Sequence, residues 1–494
     1  MTEQLKKQKQ AHAPSLGWAL LPLAFLLLGV VMVIVCMGAD YVQLISKPLM
    51  LVAGVLAIVI ARLHCRRSWR VIALGIGKSW RQISPAIIVL LLIGTVSATW
   101  MLSGVVPTLI DYGLQLLNQN LFLFTACAVC SVISVLTGSS WTTIATIGIA
   151  LMGIGKVMGY SDGWIAGAII SGAYFGDKIS PLSDTTVLAS SSCGVRLFDH
   201  IRYMMFTTTP SMVIALTVFL SAGYLTETQP AASTSEVVEA LHGAFNITPW
   251  VLSIPIITLA LIAMRVHTTL TLTISTLLGL AGIFIFQPDV LAALALQTGL
   301  TGLEANVAAS VKLLCTVTEL STGSPLLDSL VCTGGIEGMM STVLLVLCAL
   351  FFGGTLMGAG ILTTLTHAVT RHLDTMFKTV SATVCSGLFL NCFTGDQYLS
   401  IILAGNLYKS LYQRHRLEPR LLSRSIEDSI SVTSVLVPWN SCGVTQATVL
   451  NVPTLTYLPY CVFNYLSPLM SVFMAWTGFK IKRAVTSKSR HTSF

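Results

Sequence analysis

Apolar residues run for about twenty positions at a time along this chain, and polar residues gather between the runs. A helix that crosses a bilayer needs about 20 consecutive apolar residues, so each long run predicts a span. In the first half, helices are expected over about 17–37, 47–63 and 84–106. A hairpin over 120–158, a broken helix over 164–192 and a closing helix over 203–225 follow. The second half predicts helices near 249–265, 268–286 and 339–360, then a hairpin at 377–413, a broken helix at 429–450 and a closing helix at 455–477. An insert at about 288–336 has no counterpart in the first half. The expected fold class is an all-α polytopic membrane protein with broken helices and re-entrant hairpins. It has about ten full crossings plus the two hairpins, or about fourteen crossings if the hairpin limbs span completely. The first run follows Lys6, Lys7 and Lys9, as a signal peptide would. It is longer than a signal core, and no small-residue cleavage site follows, so it is read as a first span.

Polar residues enter the apolar pattern at four places: Thr137–Thr143, Asp177–Thr186, Thr394–Ser400 and Pro438–Thr445. These interruptions are related. "TGSSW" stands at 137–141 and "TGDQY" at 394–398, and Pro181 answers Pro438 at the same offset, the 257 residues from Thr137 to Thr394. Ile144 and Ile401, Gly148 and Gly405, Tyr203 and Tyr460, and Phe206 and Phe463 agree at that offset too. The chain therefore reads as an internal repeat.

Charge orients it. Only 10% of residues are charged against 54% hydrophobic, with mean hydropathy +0.81. A soluble domain carries about 25% charged residues, so a soluble enzyme is excluded. The net charge of +8 is no nucleic-acid signal, because basic residues cluster between apolar runs, as membrane topology requires. Segments 62–81, 409–424 and Lys480–Arg490 are basic and are placed in the cytoplasm; segments 226–248 and 288–338 nearly lack Lys and Arg and are placed outside. The closing helix of the first half then runs outward and that of the second half inward. The repeats are inverted, an arrangement common in secondary transporters. The expected organisation is a cytoplasmic tail 1–16, a first repeat 17–226, an extracytoplasmic linker 227–248, a second repeat 249–477 carrying the insert, and a cytoplasmic tail 478–494. The twelve cysteines show no metal spacing, and Cys127 and Cys130 read as packing residues inside a helix.

In hydrocarbon, irregular backbone survives only where it lines a cavity or is buried in protein. Pro181 and Pro438 each remove a helical bond. Broken helices free carbonyls for a cation and N–H groups for an anion. An ionised aspartate at a helix centre costs about 2.5–3.5 kcal/mol on insertion scales, yet Asp177, Asp184 and Asp396 all fall in the interruptions. With Ser139, Ser183, Thr185, Thr186, Asn440 and Ser441 they form the expected ion- and proton-binding set, with the three aspartates as the Na⁺ ligands. A carboxylate that takes either Na⁺ or a proton exchanges one for the other. Plainer readings stand beside this. Asp177 and Lys178 can pair locally, and Asp184 and Asp396 can cap the helices that follow. Glu427 and Asp428 read as the dipole-favouring start of a helix. Glu319, Asp328 and Glu337 read as loop acids, and His367 and His372 as interfacial residues.

The stretches "GSSWTTIATIGIALMGIG" (138–155), "SGAYFGDKISPLSDTTVLA" (171–189), "FTGDQYLSIILAGNLYK" (393–409), "LSRSIEDSISVTSVLVPWNSCG" (422–443) and "VPTLTYLPYCVFNYLSPL" (452–469) resemble the NhaC family of Na⁺/H⁺ antiporters. The resemblance implies a secondary antiporter of the bacterial inner membrane built from inverted repeats. No cofactor is implied, since Na⁺ and H⁺ are cargo. The expected partners are membrane lipid and those ions, with no nucleic acid and with room for a homodimer. Val187 stands where members of the family usually carry asparagine, which withdraws an amide ligand. The same family includes exchangers of small carboxylates such as malate and lactate. No arginine falls within the predicted cores, and Lys178 is the only cation within a motif, which favours a cation as sole cargo. No G-x-S-x-G nucleophile motif is present, so an intramembrane enzyme is not expected.

Overall fold

The computed structural model of the chain describes residues 14–38, 41–228, 234–318, 320, 328, 331–370 and 373–481. Most of the two tails, together with Glu319 and His372, lies outside the described residues, as does the side chain of His367. The described chain is helical, apart from one isolated bridge between Thr318 and Thr333.

In the first half the helices are α1 (Leu16–Met37), α2 (Val42–Leu63), α3 (Trp69–Leu102), α4 (Val105–Leu116), α5 (Phe122–Thr137), α6 (Ser140–Val157), α7 (Asp162–Ile179), α8 (Asp184–Cys193) and α9 (Leu197–Leu225). A short α10 (Thr234–Ala244) leads to α11 (Ser253–Ala263) and α12 (Thr268–Phe286). The insert holds α13 (Pro288–Leu296) and α14 (Gly302–Cys315). Then come α15 (Gly335–Ala359), α16 (Ile361–Thr370), α17 (Met376–Thr394), α18 (Gln397–Arg414), α19 (Pro419–Ile426), α20 (Ser441–Leu450), α21 (Thr454–Tyr457) and α22 (Val462–Thr477). Among the described residues, eight helices are long and apolar enough to cross a membrane, or up to eleven if each of three bent pairs is one span.

Both expected hairpins fold back. The Gln119 side chain donates to the Met158 carbonyl at 2.9 Å, and the Tyr160 hydroxyl donates to the Gln119 carbonyl at 2.9 Å, so α6 returns to where α5 began. In the second half Thr383 meets Tyr412 at 3.1 Å and Ser386 meets Tyr408 at 2.5 Å, which sets α17 antiparallel to α18. With the turn that leads into it, the limb holding α5 runs 19 residues from Gln119 to Thr137, about 28 Å at a rise of about 1.5 Å each and close to the ~30 Å hydrocarbon layer.

The breaks have local causes. Gly138 and Gly395 both adopt φ +66°, the left-handed geometry that ends α5 and α17. Ser180 and Val437 are extended before their prolines, which ends the helical path. Element bounds repeat at the spacing seen in the sequence: α6 begins at Ser140 and α18 at Gln397, α8 begins at Asp184 and α20 at Ser441.

Two expectations need correction. The basic segment 62–81 is not a loop, because α3 starts at Trp69 and carries Arg70, Lys78 and Arg81. The second broken helix begins at Pro419, ten residues before the expected 429, and continues through a π-helical turn at Glu427–Ser431. Pro419 suits a first helical position, where its missing N–H costs nothing. Glu427 and Asp428 therefore lie inside a helix and not at its N-terminus, and both are fully buried.

Buried apolar side chains form two clusters, one centred on α5–α7 and one on α17–α19. Without a hydrophobic drive between helices in lipid, small residues let backbones approach. A Cβ added at Gly172 would lie 2.1 Å from the Cys127 carbonyl oxygen, and one at Gly176 would lie 2.5 Å from that of Ser131, so glycine sets the α5–α7 contact. Gly172→Val should lower stability by at least about 1–3 kcal/mol, the cost of forced overpacking. A melting curve in detergent unchanged from the parent protein would show that α5 and α7 can separate freely.

Candidate functional site

Each polar interruption ends in a helix N-terminus capped by its own side chain. Ser139 caps α6, accepting from the Thr142 N–H at 3.2 Å, and Ser183 caps α8. Asp396 caps α18, accepting from the Leu399 N–H at 2.8 Å, and Asn440 caps α20, accepting from the Cys442 N–H at 3.1 Å. Such caps satisfy donors that the first helical turn leaves free. Ser139 and Asp396 hold corresponding positions, and the network around them repeats. Thr137 meets Thr143 at 3.2 Å where Thr394 meets Ser400 at 2.7 Å.

A cavity of about 400 Å³ opens where these ends converge. Ser139, Asp177, Asp184 and Thr185 line it from the first half, and Gln397 and Tyr398 from the second. Asp177 closes α7 and is half-buried; its carboxylate accepts from the Ser140 hydroxyl at 2.7 Å and the Ser183 hydroxyl at 2.6 Å. Thr185 extends this line, 3.0 Å from Ser183. Asp184 lies in the first turn of α8, exposed to the cavity and facing His267. An adjoining cavity of about 190 Å³ also touches Asp184 and is walled by Arg265 and His267 in the α11–α12 turn.

The structure thus brings Asp177 and Asp184 together and sets Asp396 behind the wall. Asp396 is 1% exposed, and its second oxygen accepts from Ser441 at 3.2 Å. Tyr398 lies within electrostatic reach of all three carboxylates. Asn440 is committed at both ends, since its amide also donates to the Asn391 carbonyl at 3.0 Å. Thr186 donates to the Lys178 carbonyl at 2.9 Å and does not line the cavity. Val187 is 44% exposed on α8 and lies off the cavity wall, so an amide there would not reach this site in the conformation described.

The site also holds what the sequence concealed. Lys178 does not pair with Asp177. Its ammonium donates to Asp428 and, at 2.6 Å, to the Ser467 hydroxyl, with neither member of the ion pair exposed. Arg424, read as part of a cytoplasmic basic segment, is fully buried, 3.8 Å from Asp428 and stacked 4.6 Å over the Tyr203 ring. The absence of core arginine expected from the sequence is therefore corrected. Gln397 and Tyr398 stand inside the repeated "TGDQY" and were legible there; Arg265 and His267 carry no motif. Among the described residues no group of three or more His, Cys, Asp or Glu could hold a metal ion in a dedicated cluster.

The Na⁺/H⁺ antiporter family matches residues 2–193 and 172–479, which together span nearly the whole chain. The chain belongs to the Na⁺/H⁺ antiporter family. The antiporter is 34% identical to the Na⁺/H⁺ antiporter NhaC of Alkalihalophilus pseudofirmus, over 92% of this chain and 95% of that one. It is also 34% identical to an arginine/ornithine antiporter of Halobacterium salinarum, over 95% and 93%. A malate-2H⁺/Na⁺-lactate antiporter of Bacillus subtilis is 33% identical over 80% and 81%. Relatives named for three kinds of cargo thus lie at nearly equal distance, so the cargo of this antiporter must be argued from its own cavity.

Proposed function

We propose that this antiporter exchanges Na⁺ for H⁺ in the bacterial inner membrane by alternating access, with Asp177 and Asp184 as the carboxylates that change occupant. The observation that carries this reading is the shared cavity, where two carboxylates from one half face Gln397 and Tyr398 from the other. Hydroxyl and carboxylate oxygens suit a hard cation. Two acids in one small cavity attract a cation or a proton, and each occupant raises the cost of the other. Asp396 acts from behind the wall, fixing the α18 N-terminus and contributing charge. The repeated helix bounds and matched caps support inverted repeats, with both termini in the cytoplasm as the basic clusters direct.

A second reading has one observation in its favour. Arg265 beside Asp184 supplies the cationic group that a small organic acid or amino acid would need, with His267 next to it. One experiment separates the two. In liposomes holding the purified protein, an inward Na⁺ gradient alone should drive proton movement out, read with a trapped pH dye. Proton movement that appears only after malate, lactate, arginine or ornithine is added would replace the Na⁺/H⁺ reading with the second.

A further inference from the structure

Glu427 is the buried acid that this mechanism leaves unused. It lies in the π-helical turn Glu427–Ser431, is fully buried, and neither carboxylate oxygen makes a hydrogen bond to a described residue. Its neighbour Asp428 holds Lys178 and accepts from Thr207 at 3.0 Å through one oxygen, and its other oxygen faces Arg424 at 3.8 Å. Single π-turns inside helices cluster at functional sites, because they turn side chains off the regular helical register.

The charges around Glu427 come from several elements. Asp177 and Lys178 face it from α7, and the hydroxyl of Thr185 and the thiol of Cys193 face it from α8. Ser431 is one turn along its own helix, with Arg424 and Asp428 on the same segment. His200 on α9 stands beyond Lys178, and Tyr412 on α18 stands near Arg424. With Glu427 ionised, the buried set of Lys178, Arg424, Asp428 and Glu427 is neutral. With Glu427 protonated, the set carries one positive charge. The Lys178 ammonium and the hydroxyls of Thr185 and Ser431 stand around it, so a charge that appears in the cavity beyond Thr185 acts on a buried acid with polar neighbours but no hydrogen bond to hold one state.

That charge is the cargo. Thr185 touches the cavity on one side and faces Glu427 on the other, and from Thr185 the line runs to Ser183 and on to Asp177. We propose that Glu427 is a second proton-binding site, and that a cation entering the Asp177–Asp184 cavity expels its proton without sharing a ligand with it. The O–H bond of the Glu427 carboxyl breaks, its electron pair stays on the carboxylate, and the proton passes by Thr185 to a water of the cavity, which leaves as hydronium. The reverse step follows when the cation leaves. This deepens the Na⁺/H⁺ reading and rests on it for the identity of the cation.

The test uses Glu427→Gln, which keeps shape and removes the titrating group, with Glu427→Asp as the conservative partner. In liposomes, Glu427→Gln should keep ²²Na⁺/Na⁺ exchange within about twofold of the parent protein and move one proton fewer per Na⁺, since Asp177 and Asp184 still trade theirs and Glu427 no longer does. Glu427→Asp should recover part of the proton movement. The infrared difference spectrum of the purified protein, with and without Na⁺, should show protonated-carboxyl bands, one of which vanishes in Glu427→Gln. An unchanged number of protons moved per Na⁺, an unchanged set of carboxyl bands, or equal loss of Na⁺ exchange and proton movement in a monodisperse variant would each overturn the proposal. If the parent protein itself moves no protons with Na⁺, the Na⁺/H⁺ reading fails, and the carboxyl band still decides Glu427.

Discussion

Asp184→Asn should lower Na⁺-driven proton movement by about 10- to 100-fold while leaving stability within about 0.5 kcal/mol of the parent. Asp184 is exposed to the cavity, and no described residue donates a hydrogen bond to it. Removing its charge therefore costs the cation a ligand and the fold almost nothing. Asp177→Asn should match that transport loss and also lose about 1 kcal/mol of stability. The Ser140 and Ser183 hydroxyls both donate to Asp177, and an amide offers only one accepting oxygen. Liposome proton flux and detergent melting curves, read side by side, check both parts. Full exchange by Asp184→Asn would remove it from the site.

Lys178→Met should be the most destabilising single change in the molecule, by about 3–5 kcal/mol, because it strands Asp428 in a dry interior. The pair joins α7 to the π-turn after α19, with neither side chain exposed. Arg424, at 3.8 Å, is too distant to replace the short contact. Replacing both partners, as Lys178→Met with Asp428→Leu, should recover much of the loss, since a buried pair exchanged for apolar residues is often neutral. Melting temperatures of the single and double variants decide this. A single variant as stable as the parent would mean that the pair does not hold the two halves together.

The sequence made the breaks legible and their chemistry only partly so. Gly138, Pro181, Gly395 and Pro438 punctuate helices wherever they fall, so both hairpin tips and both broken helices could be read locally. Asp396 as a cap was legible too, because an aspartate just after Thr-Gly can reach a backbone N–H three residues on. Glu427, Asp428 and Arg424 were misread because charge next to a basic stretch resembles solvated surface in one dimension. Their burial depends on Lys178, 250 residues away in the chain, and no periodicity reports a partner at that distance. The start of α3 was missed for a related reason: Arg70, Lys78 and Arg81 ride on a helix that is apolar on its other faces.

The shared cavity has an electrical consequence. If solvent of one bulk phase fills it, the potential of that phase reaches Ser139 and Tyr398, which line the cavity. The membrane voltage would then fall across the protein beyond those residues and not across the full bilayer. A charge that crosses that stretch still exchanges about 2.3 kcal/mol with the field for every 100 mV. Any unequal trade of cations would therefore generate current, and the rate of turnover would follow the voltage as well as the ion gradients.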